Sequence, residues 1–209
     1  MLLLTSAFCT MDIVADIRDL YKDNKWREIV ARYHDHPERN KVLWVYPSEE
    51  NFSFVKNCLA ELRCDRIVSI GCGSGLLEWM IIQATGVPVS GIEVDGAWWS
   101  CKYAPPNFIP LHITSAEMDK ETISIIQRNK NAALLFCYFN NRKAFDNYLK
   151  YYDGNVLIII GPHEKPVHTD PKPFNDVTDT WTLYKSQEIR NSGDFIVVYE
   201  KTKSITHSI

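Results

Sequence analysis

The spacing of apolar residues changes several times along this chain, and each change marks an element. From Met11 to Tyr33, Ile13, Ile17, Leu20, Ile29, Val30 and Tyr33 recur at helical intervals, which predicts helix with a break near Asp23-Asn24. Asp35 to Asn40 is a turn. Val42 to Tyr46 reads as a short strand or an extended lead-in to a helix capped by Ser48 and carrying Phe52, Val55, Leu59 and Leu62. Short β-rich runs then alternate with longer amphipathic ones. Ile67 to Ile70, Pro88 to Ile92, Phe108 to Leu111, Ala132 to Asn140 and Val156 to Ile160 read as strands. Leu76 to Ala84 and the set Phe145, Tyr148, Leu149 and Tyr152 read as helices between them. Such alternation predicts an α/β fold around a parallel sheet. Trp181 to Lys185 and Phe195 to Tyr199, joined through Arg190 to Asp194, predict an antiparallel pair. The chain after Lys201 is polar and expected to fray.

The candidate chemistry lies at the first of these strands. Ile67, Val68 and Ile70 lead into Gly71-Cys72-Gly73-Ser74-Gly75, and the strand ending at Ile92 delivers Glu93. Glycines after a buried strand let the backbone turn sharply and approach a ligand closely. An acid at the tip of the next strand is placed to accept bonds from the two hydroxyls of a ribose. A dinucleotide site needs G-x-G-x-x-G, its third glycine allowing the helix to pack tightly. Here the third glycine comes one position early and Leu76 stands in its place, which speaks against a nicotinamide-dependent dehydrogenase. A glycine-rich strand-to-helix turn of another α/β protein is the plain alternative.

Gly71-Cys72-Gly73-Ser74-Gly75 and Gly91-Ile92-Glu93-Val94-Asp95 resemble the class I S-adenosylmethionine (SAM)-dependent methyltransferases, whose first motif ends in G-x-G-x-G and whose second strand ends in Asp or Glu. The resemblance runs from about Arg66 to Lys201. It implies a doubly wound, mostly parallel seven-stranded sheet with a C-terminal antiparallel β-hairpin and a helical N-terminal extension. The corresponding division is an extension over 1–65 packed on the core, a Rossmann-like core over 66–201 and a polar tail over 202–209. It implies SAM as cofactor, with Gly71, Cys72, Gly73, Ser74, Gly75, Glu93 and Val94 around it. Ile113, Thr114 and Ser115 then lie beside the adenine, and Cys137 leaves the fourth strand facing the transferable methyl group. Two departures stand out. Many members carry an acid where this chain has Thr114. The Asn/Asp-Pro-Pro-aromatic run of enzymes acting on planar amines is replaced by Cys137-Tyr138-Phe139-Asn140.

The expected function is therefore SAM-dependent methyl transfer to an acceptor that the motifs do not identify. The alternative keeps the fold without catalysis, as a SAM-binding sensor or scaffold subunit working with a protein partner. A sulfonium methyl is already electrophilic, so the protein has mainly to align a nucleophile and exclude water. Tyr138 and Asn140 are the candidates to orient that nucleophile, and either equally suits a strand or helix cap. Trp98 and Trp99 either close over a ligand or divide between core and sheet edge. His163 and His168 sit in a polar loop, as solvated residues or as a general base.

Composition narrows the setting. The 209 residues are 45% hydrophobic, enough for one sizeable sheet-centred core. A formal charge of -3 with interspersed signs provides no basic stripe, which removes the electrostatic argument for nucleic acid and leaves RNA open as an acceptor. Cys9, Cys58, Cys64, Cys72, Cys101 and Cys137 are scattered, with no C-x-x-C pair and no histidine at ligand spacing, so free thiols and no metal site are expected. Met1 to Leu4 lack the basic flank and length of a signal peptide, and no run is long enough to span a membrane. A cytoplasmic or nuclear protein is the expectation.

Overall fold

A computed structural model describes residues 12–202 apart from 116, 129 and 166. The expectations for Met1 to Leu4, Cys9, Met11 and the tail over 203–209 lie outside the described residues. Seven strands form one sheet: β1 (Arg66–Ile70), β2 (Val89–Glu93), β3 (Leu111–Ile113), β4 (Ala132–Cys137), β5 (Val156–Pro162), β6 (Trp181–Ile189) and β7 (Asp194–Lys201). Their order is β3-β2-β1-β4-β5-β7-β6. β7 is antiparallel to both its neighbours, while the first five strands pair in parallel. Helices α1 (Ile13–Lys22), α2 (Trp26–Tyr33), α3 (Glu49–Glu61), α4 (Leu76–Thr85), α5 (Gly96–Trp99), α6 (Lys120–Gln127) and α7 (Arg142–Tyr151) complete the chain.

Strand periodicity divides the interior into two cores. Ile67, Ala133, Leu135, Ile158 and Val198 point to the side packed by α1 to α4, where Ile17, Ile29, Phe52 and Met80 meet them. Their sequence neighbours Val68, Leu134, Phe136, Ile159 and Val197 point to the other side, against Ile126 of α6 and Phe145 and Tyr148 of α7. Residues i and i+2 share a face of a strand. A central strand covered on both faces is apolar throughout, which is why β4 and β5 read as unbroken hydrophobic runs.

The N-terminal helices form as their caps dictate. Asp12 accepts the Val14 N–H at the start of α1, and the break expected near Asp23-Asn24 falls where Asn24 takes φ 58°. Ser48 caps α3 in a reciprocal box: its Oγ accepts the Asn51 N–H at 3.2 Å, and Asn51 Oδ1 accepts the Ser48 N–H at 2.9 Å. Asn51 is buried, and its Nδ2 donates to Gln187 Oε1 and to the Glu188 carbonyl, tying α3 to β6. Asn51→Ala is expected to cost about 2 kcal/mol, roughly 1 for the cap and 1 for the stranded carbonyl. Urea midpoints check this, with Asn51→Asp costing at least as much as alanine, because it keeps the cap acceptor but turns a buried carboxylate oxygen toward the Glu188 carbonyl.

Two elements differ from the sequence expectation, and at a third the structure decides between the two readings. The third strand begins at Leu111, not Phe108. The Phe108 N–H donates to the Ser74 carbonyl at 2.8 Å, and Ile109 fills the space beside Gly75, where a Cβ would lie 2.4 Å from Ile109 Cγ1. These two apolar residues cover the glycine turn instead of pairing in the sheet. Val42 to Tyr46 is the extended lead-in, following a 3₁₀ turn at Arg39–Lys41. A further helix, α6, connects β3 to β4, its first turn capped by Asp119 accepting the Thr122 N–H at 2.7 Å. Among the described residues no helix is long and apolar enough to cross a membrane, and Cys58, Cys64, Cys72, Cys101 and Cys137 are free thiols.

Candidate functional site

The site is built where β1 and β4 lie side by side and the sheet order turns outward in both directions, the place where open α/β sheets form a crevice at their carboxyl ends. Gly71, Gly73 and Gly75 leave β1 with φ of 67°, 60° and 78°, a left-handed path that glycine takes without a Cβ penalty. Gly71 also lies under the Phe139 ring, which a Cβ there would meet at 3.1 Å.

Glu93 holds this turn in place. Its Oε2 accepts the Gly73 N–H and its Oε1 the Val94 N–H, each at 2.7 Å. Burial raises its pKa above the usual carboxylate value, with these backbone bonds opposing the shift. Each oxygen has a lone pair beyond the one so engaged.

Two cavities meet at Gly71, which lines both. One of about 290 Å³ contains Glu93, Val94, Ser115, Phe139 and Asn140 in its wall. The other, of about 430 Å³, is walled by the Cys72 to Ser74 turn, Glu78, Trp98 and Trp99, Cys137 and Tyr138, and on the outside by Asn40 to Trp44. The sizes suit a small organic ligand.

Tyr138 stands at the exit of β4 with φ 51°. Its ring stacks on Trp44 with centroids 5.7 Å apart. Its hydroxyl donates to Asp194 Oδ1 at 2.7 Å, and burial followed by this bond raises the phenol pKa. Asp194 is buried and also accepts from Lys165 Nζ at 2.7 Å and Ser192 Oγ at 3.1 Å. The Tyr138 hydroxyl is thus committed to a fixed carboxylate while its ring forms a wall of the cavity.

Glu78 was not singled out by the sequence. It lies in the first turn of α4, an otherwise largely apolar helix, with 1% of its surface exposed. Ser69 Oγ donates to its Oε1 at 2.6 Å, while Oε2 has no partner among the described residues. Burial pushes its carboxyl up to about 7.

The residues singled out by the sequence divide as follows. Gly71, Cys72, Gly73, Ser74, Cys137 and Tyr138 line the larger cavity. Glu93, Val94, Ser115 and Asn140 line the smaller. Gly75 lies apart from both walls, turning the chain into α4 beneath Ile109. Ile113 is 40% exposed against Gly96. Thr114 is buried beside Glu93, whose carbonyl accepts the Thr114 N–H at 2.9 Å, and its Oγ1 is without a partner among the described residues. The His163 ring packs edge-on to Phe174 and Phe195 outside both cavities, and His168 is exposed. Among the described residues no cluster of His, Cys, Asp and Glu is arranged to hold a metal ion.

Neither a protein-family model nor a curated protein sequence matches the chain. Solved structures do. MtNAS in complex with MTA and tNA is 15% identical, with a TM-score of 0.56 over 91% of this chain and 70% of that one. A point mutant of MtNAS is 15% identical, with a TM-score of 0.53 over 91% and 76%. A putative caffeoyl-CoA O-methyltransferase from Staphylococcus aureus is 10% identical, with a TM-score of 0.48 over 90% and 99%. A sheet ordered β3-β2-β1-β4-β5-β7-β6, in which β7 alone runs against the rest, with a glycine turn after β1 and an acid closing β2, is the class I methyltransferase fold, and this chain has it.

Proposed function

We propose that the chain binds S-adenosylmethionine across the two cavities and transfers its methyl group to an acceptor entering the larger one. The observation that carries this is Glu93: a buried carboxylate fixed by the N–H groups of Gly73 and Val94, between a glycine turn and a small cavity, with lone pairs left for a ribose diol. The residues present fit the cofactor. Gly73 leaves the turn open to close approach from the larger cavity, a Cβ there lying 3.7 Å from Trp99, and Thr114 Oγ1, next to Glu93 and without a partner among the described residues, offers a buried hydroxyl on the adenine side. When bound, the cofactor supplies a methyl group already activated on sulfur.

The work left to the protein is positional. Glu93 binds the ribose, and the Phe139 ring over Gly71 and the Trp44–Tyr138 stack keep water from the walls. Aromatic faces also suit a cationic sulfur. Because the Tyr138 hydroxyl is bound to Asp194, its part is to orient through its ring, and the nucleophile itself comes from the acceptor.

Titration calorimetry of the full chain with SAM and S-adenosylhomocysteine, with NADH as control, tests the proposal. Micromolar binding of both SAM-series ligands and none of NADH is the expected result. Absence of binding by the first two sinks it and leaves a scaffold whose pocket a protein partner completes. Incubation with SAM and candidate acceptors then distinguishes methyl transfer, which releases S-adenosylhomocysteine, from transfer of the amino-acid arm, which releases methylthioadenosine.

A further inference from the structure

Building on the reading that the crevice takes a SAM-series ligand, we propose that Glu78 is the receptor for that ligand's ammonium group, with Ser69 as the residue that positions the carboxylate. Glu78 is almost entirely buried, and only one of its oxygens is satisfied: Ser69 donates to Oε1, and Oε2 has no partner among the described residues. An unpaired carboxylate oxygen in a protein interior is costly and seldom kept without a use. Glu78 forms part of the wall of the larger cavity, beside Gly71, Cys72 and Cys137.

The charge around it is one-sided. Cys72 and Cys137 lie close enough to interact with it electrostatically, both thiols held neutral by burial, and the next carboxylate is Glu93. Lys41, on the same cavity, is paired with Glu38. Among the described residues the wall therefore holds a carboxylate without a cation partner, which the ligand's ammonium would supply.

The residue shared by the two cavities selects the group. With the ribose held at Glu93 in the smaller cavity, an amino-acid arm extended beyond Gly71, which lines both cavities, meets the wall that Glu78 forms. That arm bears a single ammonium. Free Glu78 titrates at about 7 because it is buried, and an ammonium pairs with its ionised form, so binding is expected to release a proton and to tighten as pH rises through that value.

The test compares S-adenosylhomocysteine with 5′-methylthioadenosine, which keeps the adenosine and lacks the amino-acid arm, on the full chain between pH 6 and pH 8. Wild type is expected to bind S-adenosylhomocysteine about tenfold more tightly at pH 8 than at pH 6, with methylthioadenosine unaffected by pH. Glu78→Gln, near in shape and neutral, is expected to lose about tenfold or more of its affinity for S-adenosylhomocysteine at pH 8, together with the pH dependence, and to bind methylthioadenosine as wild type does. Ser69→Ala should give a smaller loss with the same selectivity. Unchanged S-adenosylhomocysteine affinity in Glu78→Gln, or an equal loss for both ligands, overturns the assignment. If wild type binds S-adenosylhomocysteine with no pH dependence and no preference over methylthioadenosine, this proposal alone fails. If it binds neither, the cofactor reading fails with it.

Discussion

Phe136→Ala is expected to destabilise the protein by about 3–5 kcal/mol, the usual range for deleting a buried aromatic ring. Phe136 is 0% exposed. It sits on β4, which has three strands on either side of it in the sheet, and meets Phe139, Phe145 and Tyr148 edge-on at centroid distances of 5.1, 4.8 and 6.3 Å. Phe145 and Tyr148 are held by α7 and Phe139 follows closely on β4, so the hole left by the ring has little means of closing. The effect extends to the site, because Phe139 rests on Phe136 on one side and covers Gly71 on the other. Denaturant unfolding reads the loss as a lowered midpoint at unchanged slope. Phe136→Leu keeps most of the volume and should cost about 1–2 kcal/mol. A loss below about 1 kcal/mol for the alanine variant would mean that α7 collapses onto the sheet, contrary to this packing.

Glu93→Ala is expected to weaken binding of S-adenosylhomocysteine about a hundredfold, equivalent to about 2.7 kcal/mol. Two charge-assisted bonds to ribose hydroxyls, each about 1.5 kcal/mol, supply that amount. Unfolding should change far less. The substitution leaves the Gly73 and Val94 N–H groups without their acceptor, but it also removes a carboxylate whose raised pKa shows the cost of burying its charge. Calorimetry and thermal unfolding on the same variant separate the two effects. Affinity equal to wild type would remove Glu93 from the ligand's contacts and reduce it to a brace for the glycine turn.

What the sequence made legible was what depends on local order. The β1 run, the glycine turn, the apolar helix and the strand ending at Glu93 follow one another within 28 residues, Arg66 to Glu93, and the fold keeps that order. β3 was misplaced because Phe108-Ile109 looks like the start of a strand, and only the tertiary structure shows a glycine turn in need of cover. α6 leaves a weak signal: Asp119 and Thr122 have cap spacing, but the apolar stripe is short. Glu78 did leave a signal: a single acid within Leu-Leu-Glu-Trp-Met-Ile-Ile, where a helix hydrophobic all round must be buried. Asp194 left none, since its bond to the Tyr138 hydroxyl spans 56 residues of sequence.

The outer wall of the larger cavity, Asn40 to Trp44, belongs to a segment made before the sheet exists, yet it is secured by the chain's late part. Arg190 Nε donates to the Tyr46 carbonyl at 3.1 Å, and Asn51 bonds to Gln187 and Glu188. These are contacts of very high sequence separation, and such contacts form slowly because a long loop must close first. During synthesis the glycine turn and Glu93 can meet while the hairpin of β6 and β7 is still missing. The crevice is therefore completed when that hairpin docks and fixes the early segment against it, so a chain still lacking the hairpin has the glycine turn and Glu93 together while the outer wall of the larger cavity is unsecured.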